Sequence, residues 1–181
     1  MKMIKFSALL LAFLLSFTTL TMAKSAKTLD HDANIAINKF IAETKGGDPF
    51  LVKAKAFLVF PSVKEAGFFV GGKYGEGVLR IGRTTKGYYS MTAASIGMQM
   101  GAQEYSMIIA FTTDAALNKF LLDDDEWETE VDGKIAVAEW NSKEEIDKDY
   151  KDPMVAFVFD SKGLMGSFSM EGTKFEKIKA D

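Results

Sequence analysis

Phe60-Pro61-Ser62-Val63-Lys64-Glu65-Ala66-Gly67-Phe68-Phe69-Val70-Gly71-Gly72-Lys73-Tyr74-Gly75-Glu76-Gly77-Val78 is the stretch on which the fold turns. Aromatic and β-branched residues give it strand character, yet glycine interrupts it every few positions. Nine of the chain's 15 glycines fall between Gly67 and Gly101. Each glycine in an ordinary strand removes packing surface and costs backbone entropy, so this density needs a reason. Glycine in a strand marks a bulge, a sharp bend, or the close approach of another backbone or a ligand. The stretch therefore predicts a strongly curled hairpin with something lying close against it. Tyr74-Gly75-Glu76-Gly77 is the expected turn, between strands Gly67–Lys73 and Val78–Ile81, with Gly75 and Gly77 free to adopt positive φ.

Upstream, residues 30–45 predict a helix capped by Asp30 or Asp32. Ala33, Ile37, Phe40, Ile41 and Thr44 share one face, and Gly46-Gly47 supplies the stop. Asp48 and Pro49 then read as the N-cap and first position of a short helix. A strand from Ala56 to Phe60 ends at Pro61. Downstream, Tyr88–Met100 and Glu104–Phe111 read as two strands separated by Gly101-Ala102. Thr113 caps a helix burying Leu117, Phe120 and Leu121. Asp123 to Glu130 reads as a solvated acidic loop, Ile135–Trp140 as a strand, and Ser142 with Glu145 as a capping-box start. Met154–Phe159 and Leu164–Met170 are expected strands meeting at the turn Asp160 to Gly163. The expected architecture is one α+β domain: a curled, glycine-rich antiparallel sheet, sandwich or partial barrel, with flanking short helices.

Residues 1–23 stand apart. Lys2 and Lys5 precede an apolar run from Phe6 to Phe17, and Thr21-Met22-Ala23 ends in small residues, the pattern of a cleaved secretory leader. The alternative is an uncleaved anchor, since Phe6 to Ala23 approaches the length of a bilayer span. The chain has no cysteine, which excludes a lipoprotein, disulfides and thiol chemistry, so packing must stabilise residues 24–181 as a single domain. Removing the leader takes two of the 22 basic residues and none of the 25 acidic ones, moving the net charge from −3 to −5. An acidic chain is a poor match for nucleic acid, which demands neutralised phosphates. It equally opposes a purely electrostatic grip on anionic lipid.

Little in the inventory suggests catalysis. The single histidine, His31, lies in the first helix, and no Gly-x-Ser-x-Gly elbow presents a serine. Gly71 to Gly77 lacks the Gly-Lys-Ser/Thr of a phosphate loop and leads into a strand. The acids from Asp123 to Asp132 lack the alternating ligands and central glycine of a calcium loop. No enzyme activity, cofactor or metal is expected. Met91, Met98, Met100, Met107, Met165 and Met170, beside Phe57, Phe68, Phe69, Phe157, Phe159 and Phe168, read mainly as core. A minority of them could line an accommodating face for flexible apolar ligands.

The Phe60 to Gly67 start and the Gly71 to Val78 core resemble the SYLF domain family. The likeness continues through Gly87-Tyr88-Tyr89-Ser90-Met91, Ala94 to Gln103, Ser161 to Met165 and Met170 to Thr173. The resemblance implies binding of phospholipid or phosphatidylinositol membranes without catalysis. Phosphoinositide preference is not expected to carry over to an exported bacterial-type chain. Actin association is not expected either, because the partner-binding domains of eukaryotic members are missing from this sequence. The expected function is a periplasmic or secreted lipid- or membrane-binding domain. The alternative is an envelope structural or interaction protein that docks a protein partner through its glycine-rich sheet. Candidate lipid-binding residues are Phe68, Phe69, Gly71, Gly72, Lys73, Tyr74, Gly75, Gly77, Lys162 and Gly163. Lys73, Tyr74 and Lys162 are expected at one rim of the sheet, where snorkelling lysines and amphipathic rings suit a headgroup boundary.

Overall fold

A computed structural model describes residues 24–122, 126–138, 145–146, 150–162 and 168–181, with side chains at all of these except 68, 69, 95–100 and 162. The expected leader lies outside the described residues, as do Met165, Gly163 and most of the segment following Ser142. Glu145 and Ile146 are described and are not helical.

Helix α1 spans Ala26–Glu43 and buries Leu29, Ala33, Ala36 and Phe40. It begins earlier than its apolar pattern suggested, because Ser25 is the cap: its hydroxyl accepts the Thr28 N–H at 3.3 Å. Asp30 has a different task. Its carboxylate accepts from Arg80 Nη2 at 3.1 Å, Thr85 Oγ1 at 2.6 Å and Tyr88 Oη at 2.9 Å, pinning the helix to a distant hairpin. We expect Ser25→Ala to cost about 1 kcal/mol in chemical denaturation, by orphaning a helix-terminal N–H. A short α2, Gly47–Lys53, follows, capped by Gly46 in the left-handed region at φ 82°.

Two very long strands dominate. β1 runs Ala56–Ile81 and β2 runs Thr84–Phe111, paired antiparallel from Ala56↔Phe111 to Ile81↔Thr84. The hairpin turn is therefore Gly82-Arg83, with Gly82 at φ 59°. It is not Tyr74 to Gly77, which lies mid-strand without positive φ. Pro61 does not stop β1. A register shift between Phe60 and Val63 absorbs it, a bulge being the place in a ladder where a missing N–H is tolerated.

The ribbon bends back on itself near its middle. A further register shift falls between Gly67 and Phe69, and across the ribbon Gly101 has φ 125°. The expected break at Gly101-Ala102 is thus a bend within one strand. Each half of β2 recruits its own partners. Tyr88–Thr92 pairs with β6 (Lys174–Ile178), which pairs with β3 (Glu126–Glu128). Glu104–Phe111 pairs with β5 (Met154–Lys162). All these pairs are antiparallel, but β4 (Ala136–Val137) joins β5 in parallel. The six described strands form one sheet curled into a half-barrel.

Strand alternation explains the two cores. Ala56, Leu58, Phe60, Met107, Ile109 and Phe111 face inward and meet Tyr89 and Met91 from the other half of the ribbon, with Trp127 from β3 and Phe175 from β6. Helix α3, Asp114–Leu122, closes this core with Leu117 and Phe120. Thr113 caps it, accepting the Ala116 N–H at 3.2 Å. Leu121, expected inside, is 38% exposed. Phe57, Val59, Ile108, Ala110, Val155 and Phe157 face outward, and α1 and α2 cover them.

Candidate functional site

At the bend, the glycine-rich block is in contact with itself. A Cβ on Gly67 would lie 2.4 Å from Gly71 Cα, and one on Gly71 would lie 2.3 Å from the Ala66 carbonyl oxygen. Further along, a Cβ on Gly77 would meet the Val59 carbonyl oxygen at 2.4 Å and the Phe60 ring at 2.6 Å. The close neighbour that the glycines imply is β1's own opening segment.

The curl turns Lys73 inward. Its side chain is 10% exposed, with Nζ 3.8 Å from Glu65 Oε2, donating to the Ser169 carbonyl at 3.1 Å and lying 4.5 Å from the centroid of Phe168. Burial pushes the lysine pKa below the ordinary 10.5, and the Glu65 carboxylate pulls it partly back. Tyr105 sits close by, 2% exposed, edge-on to Phe168 at 5.4 Å. Its hydroxyl has no hydrogen-bond partner among the described residues. Burial, then the nearby Glu65 charge, drives its pKa well above the usual tyrosine value. This is a charged cluster enclosed by aromatic rings rather than a rim.

Tyr74 is the next residue in the strand and faces the opposite way, 37% exposed, donating to Glu76 Oε1 at 2.8 Å. Gly72 has only ordinary clearance, 3.6 Å to the Ala93 carbonyl oxygen. Lys162 pairs with Glu104 in the β2–β5 register, while its side chain, like those of Phe68 and Phe69, lies outside the described residues. Lys73 and Tyr74 therefore do not share a rim. Strand alternation separates them.

A different feature went unread in the sequence. Between α1, α2 and the Gly82 turn lies an open hollow of about 680 Å³. Ile37, Ile41, Leu51, Val52 and Phe57 supply apolar lining, and Asn34, Asn38, Asp48, Arg80 and Arg83 supply polar groups. Val52 is 79% exposed. The signal available was the α1 spacing 34, 37, 38, 41, one helical stripe carrying both amides and isoleucines. The acidic segment is also more structured than expected. Trp127 is buried in the core, and Glu126 and Glu128 hold Lys174 Nζ at 2.6 and 3.4 Å.

A family model described as Ysc84, Las17-binding protein actin regulator, matches residues 92–180. Over this span the chain belongs to the SYLF family. The SYLF match takes in much of β2 and everything from α3 through β6, including Tyr105 and Phe168, whereas the glycine block of β1 precedes it. Among curated proteins, none matches this chain.

Proposed function

We propose that this SYLF chain is an exported, non-catalytic domain that binds lipid at the hollow between α1, α2 and the β1–β2 turn. The observation carrying the reading is the pairing of size and lining. About 680 Å³ suits a ligand of drug or lipid-fragment size. Its isoleucines, Leu51, Val52 and Phe57 suit acyl carbon, and Arg83 with the asparagine amides suits headgroup oxygens. The net charge of −5 left once the leader is removed makes apolar contact the dominant attraction. The SYLF resemblance supports phospholipid as the ligand, without a phosphoinositide preference. A protein partner is the second reading. It is supported by the family description and by β1, which pairs only with β2 among the described strands and so leaves an edge to receive another strand.

Native mass spectrometry of the processed protein, followed by vesicle sedimentation at low and high salt, tests the proposal. We expect copurified lipid, and binding that survives high ionic strength better than a polybasic surface would. Val52→Asp with Arg83→Glu, both on exposed residues, should weaken vesicle binding about tenfold or more without shifting the melting temperature. Bare protein with a stable protein partner, or binding indifferent to both substitutions, would reject the lipid site. Retention of Met1 in the intact mass would reject export with cleavage.

A further inference from the structure

We infer that Glu76 and Tyr74 form a docking site for the α-ammonium group created when the leader is cleaved after Ala23. This rests on the cleaved-leader part of the proposed function, but not on lipid binding. The Lys24 backbone nitrogen lies 3.0 Å from Glu76 Oε2. The other carboxylate oxygen, Oε1, accepts the Tyr74 hydroxyl at 2.8 Å. The carboxylate is thus held by one neighbour and aimed by its free oxygen at one backbone nitrogen, 52 residues away in sequence.

Cleavage changes what that nitrogen is. In the uncut chain it is a neutral amide with one N–H. Hydrolysis breaks the Ala23–Lys24 C–N bond: the water oxygen joins the Ala23 carbonyl carbon to leave a carboxylate, and both water protons end on the nitrogen, which becomes an ammonium with three N–H donors and a full charge. A neutral hydrogen bond becomes a charge-assisted one. The surroundings are ready for it. A hollow of about 270 Å³ is lined by Lys24, Ser62, Lys64, Tyr74, Gly75, Glu76 and Glu104, so a second carboxylate and a hydroxyl stand near the remaining protons. Ser62 Oγ already donates to Glu104 Oε1 at 2.6 Å. Besides Lys24 itself, Lys64 is the opposing cation among the described lining residues. The ε-ammonium of Lys24 is drawn away to Asp32 Oδ2 at 2.8 Å on α1, leaving the α-nitrogen to Glu76. The next residues are fixed as well: Ser25 caps α1, and the Ala26 N–H donates to the Asp181 carbonyl at 2.9 Å. The start of the processed chain is therefore aimed at the glycine-rich segment of β1.

A docked ammonium has a folded-state pKa above its unfolded value of about 7.7–8.0. Its contribution to stability is complete below that value and is lost as pH rises through the folded pKa. The test begins with the full chain expressed in an exporting host, with the product's N-terminus established by intact mass. The α-amine is then labelled by reductive ¹³C-methylation, which keeps its charge, and titrated by NMR. The expected result is an upward displacement of roughly half a unit or more, returning to the ordinary range in Glu76→Gln.

A variant with one glycine inserted between Ala23 and Lys24 provides a second measurement. It moves the new ammonium away from Glu76 while keeping every other titrating group. The melting temperature of the processed wild type should fall more between pH 7 and pH 10 than that of the insertion variant. An α-amine titrating normally in the wild type, a shift that Glu76→Gln leaves in place, or identical pH profiles for wild type and insertion would each overturn the docking site. A product beginning elsewhere than Lys24 overturns the cleavage reading, and this site with it. A correct N-terminus with a normal titration overturns the site alone.

Discussion

Gly71→Ala will destabilise the protein by about 3 kcal/mol or more, while Gly72→Ala, one residue on, will change stability by less than about 1 kcal/mol. Ordinary strand propensity treats these two substitutions alike. Their surroundings separate them. A Cβ on Gly71 falls 2.3 Å from the Ala66 carbonyl oxygen and 2.8 Å from Gly67 Cα, all backbone, with no flexible side chain to give way. Relief would require opening the bend, and the bend is what brings the two halves of the ribbon over a common core. At Gly72 the nearest atom is 3.6 Å away, ordinary contact. There, reduced entropy of the unfolded chain offsets any small loss. Gly77→Ala belongs with Gly71, because its Cβ would strike the Val59 carbonyl oxygen at 2.4 Å. Urea denaturation of the three variants decides the matter. Equal effects at Gly71 and Gly72 would mean that the ribbon is not bent tightly here.

The same glycines show where sequence reasoning succeeds and where it stops. Their density announced close backbone approach, and that is their role at positions 67, 71 and 77. Density says nothing about which backbone approaches, so the sequence points to a turn at Tyr74 to Gly77, whereas the chain turns at Gly82-Arg83. A single glycine at the true turn looks weaker than four in a bend. Locally encoded features were legible. They include the apolar stripe of α1 through Ala33 and Phe40, the Thr113 cap, and the strand Met154 to Phe159. β6 was missed because only Phe175 of its five residues is buried, so its alternation is faint. A lysine beside a tyrosine between glycines reads as exposed turn chemistry, yet the Lys73 side chain is buried. Only the tertiary curl brings Glu65 and Phe168 to meet it. The hollow at α1 and α2 was illegible because its wall combines three elements far apart in sequence.

Breaking the Glu65–Lys73 pair from the acidic side should cost about 3–5 kcal/mol, more than removing both charges together. Glu65 and Lys73 side chains are 8% and 10% exposed, so neither charge has water to fall back on. In Glu65→Gln the ammonium keeps the Ser169 carbonyl and the face of Phe168 but loses its counter-charge. The Glu65→Leu/Lys73→Met double variant leaves no stranded charge and replaces the pair with apolar volume beside Tyr105 and Phe168. It should recover most of the loss. The pH dependence has a definite sign. Burial already places the Lys73 pKa below 10.5 in the folded chain, with Glu65 opposing that displacement. Without Glu65 the displacement deepens. The unfolded chain then holds the lysine proton at pH values where the folded chain has released it, so stability rises with pH in the window below 10.5. Glu65→Gln should accordingly gain stability relative to wild type as pH is raised through that window, and the double variant should lose this dependence. Tyr105 opposes the trend only above its ordinary range, because its folded pKa is raised and the unfolded chain ionises first. Denaturant titrations of the three proteins across pH 7 to 10 supply the comparison. A Glu65→Gln variant as stable as wild type at pH 7 would mean that Lys73 reaches water in solution. The inward curl of β1 at this point would then be wrong.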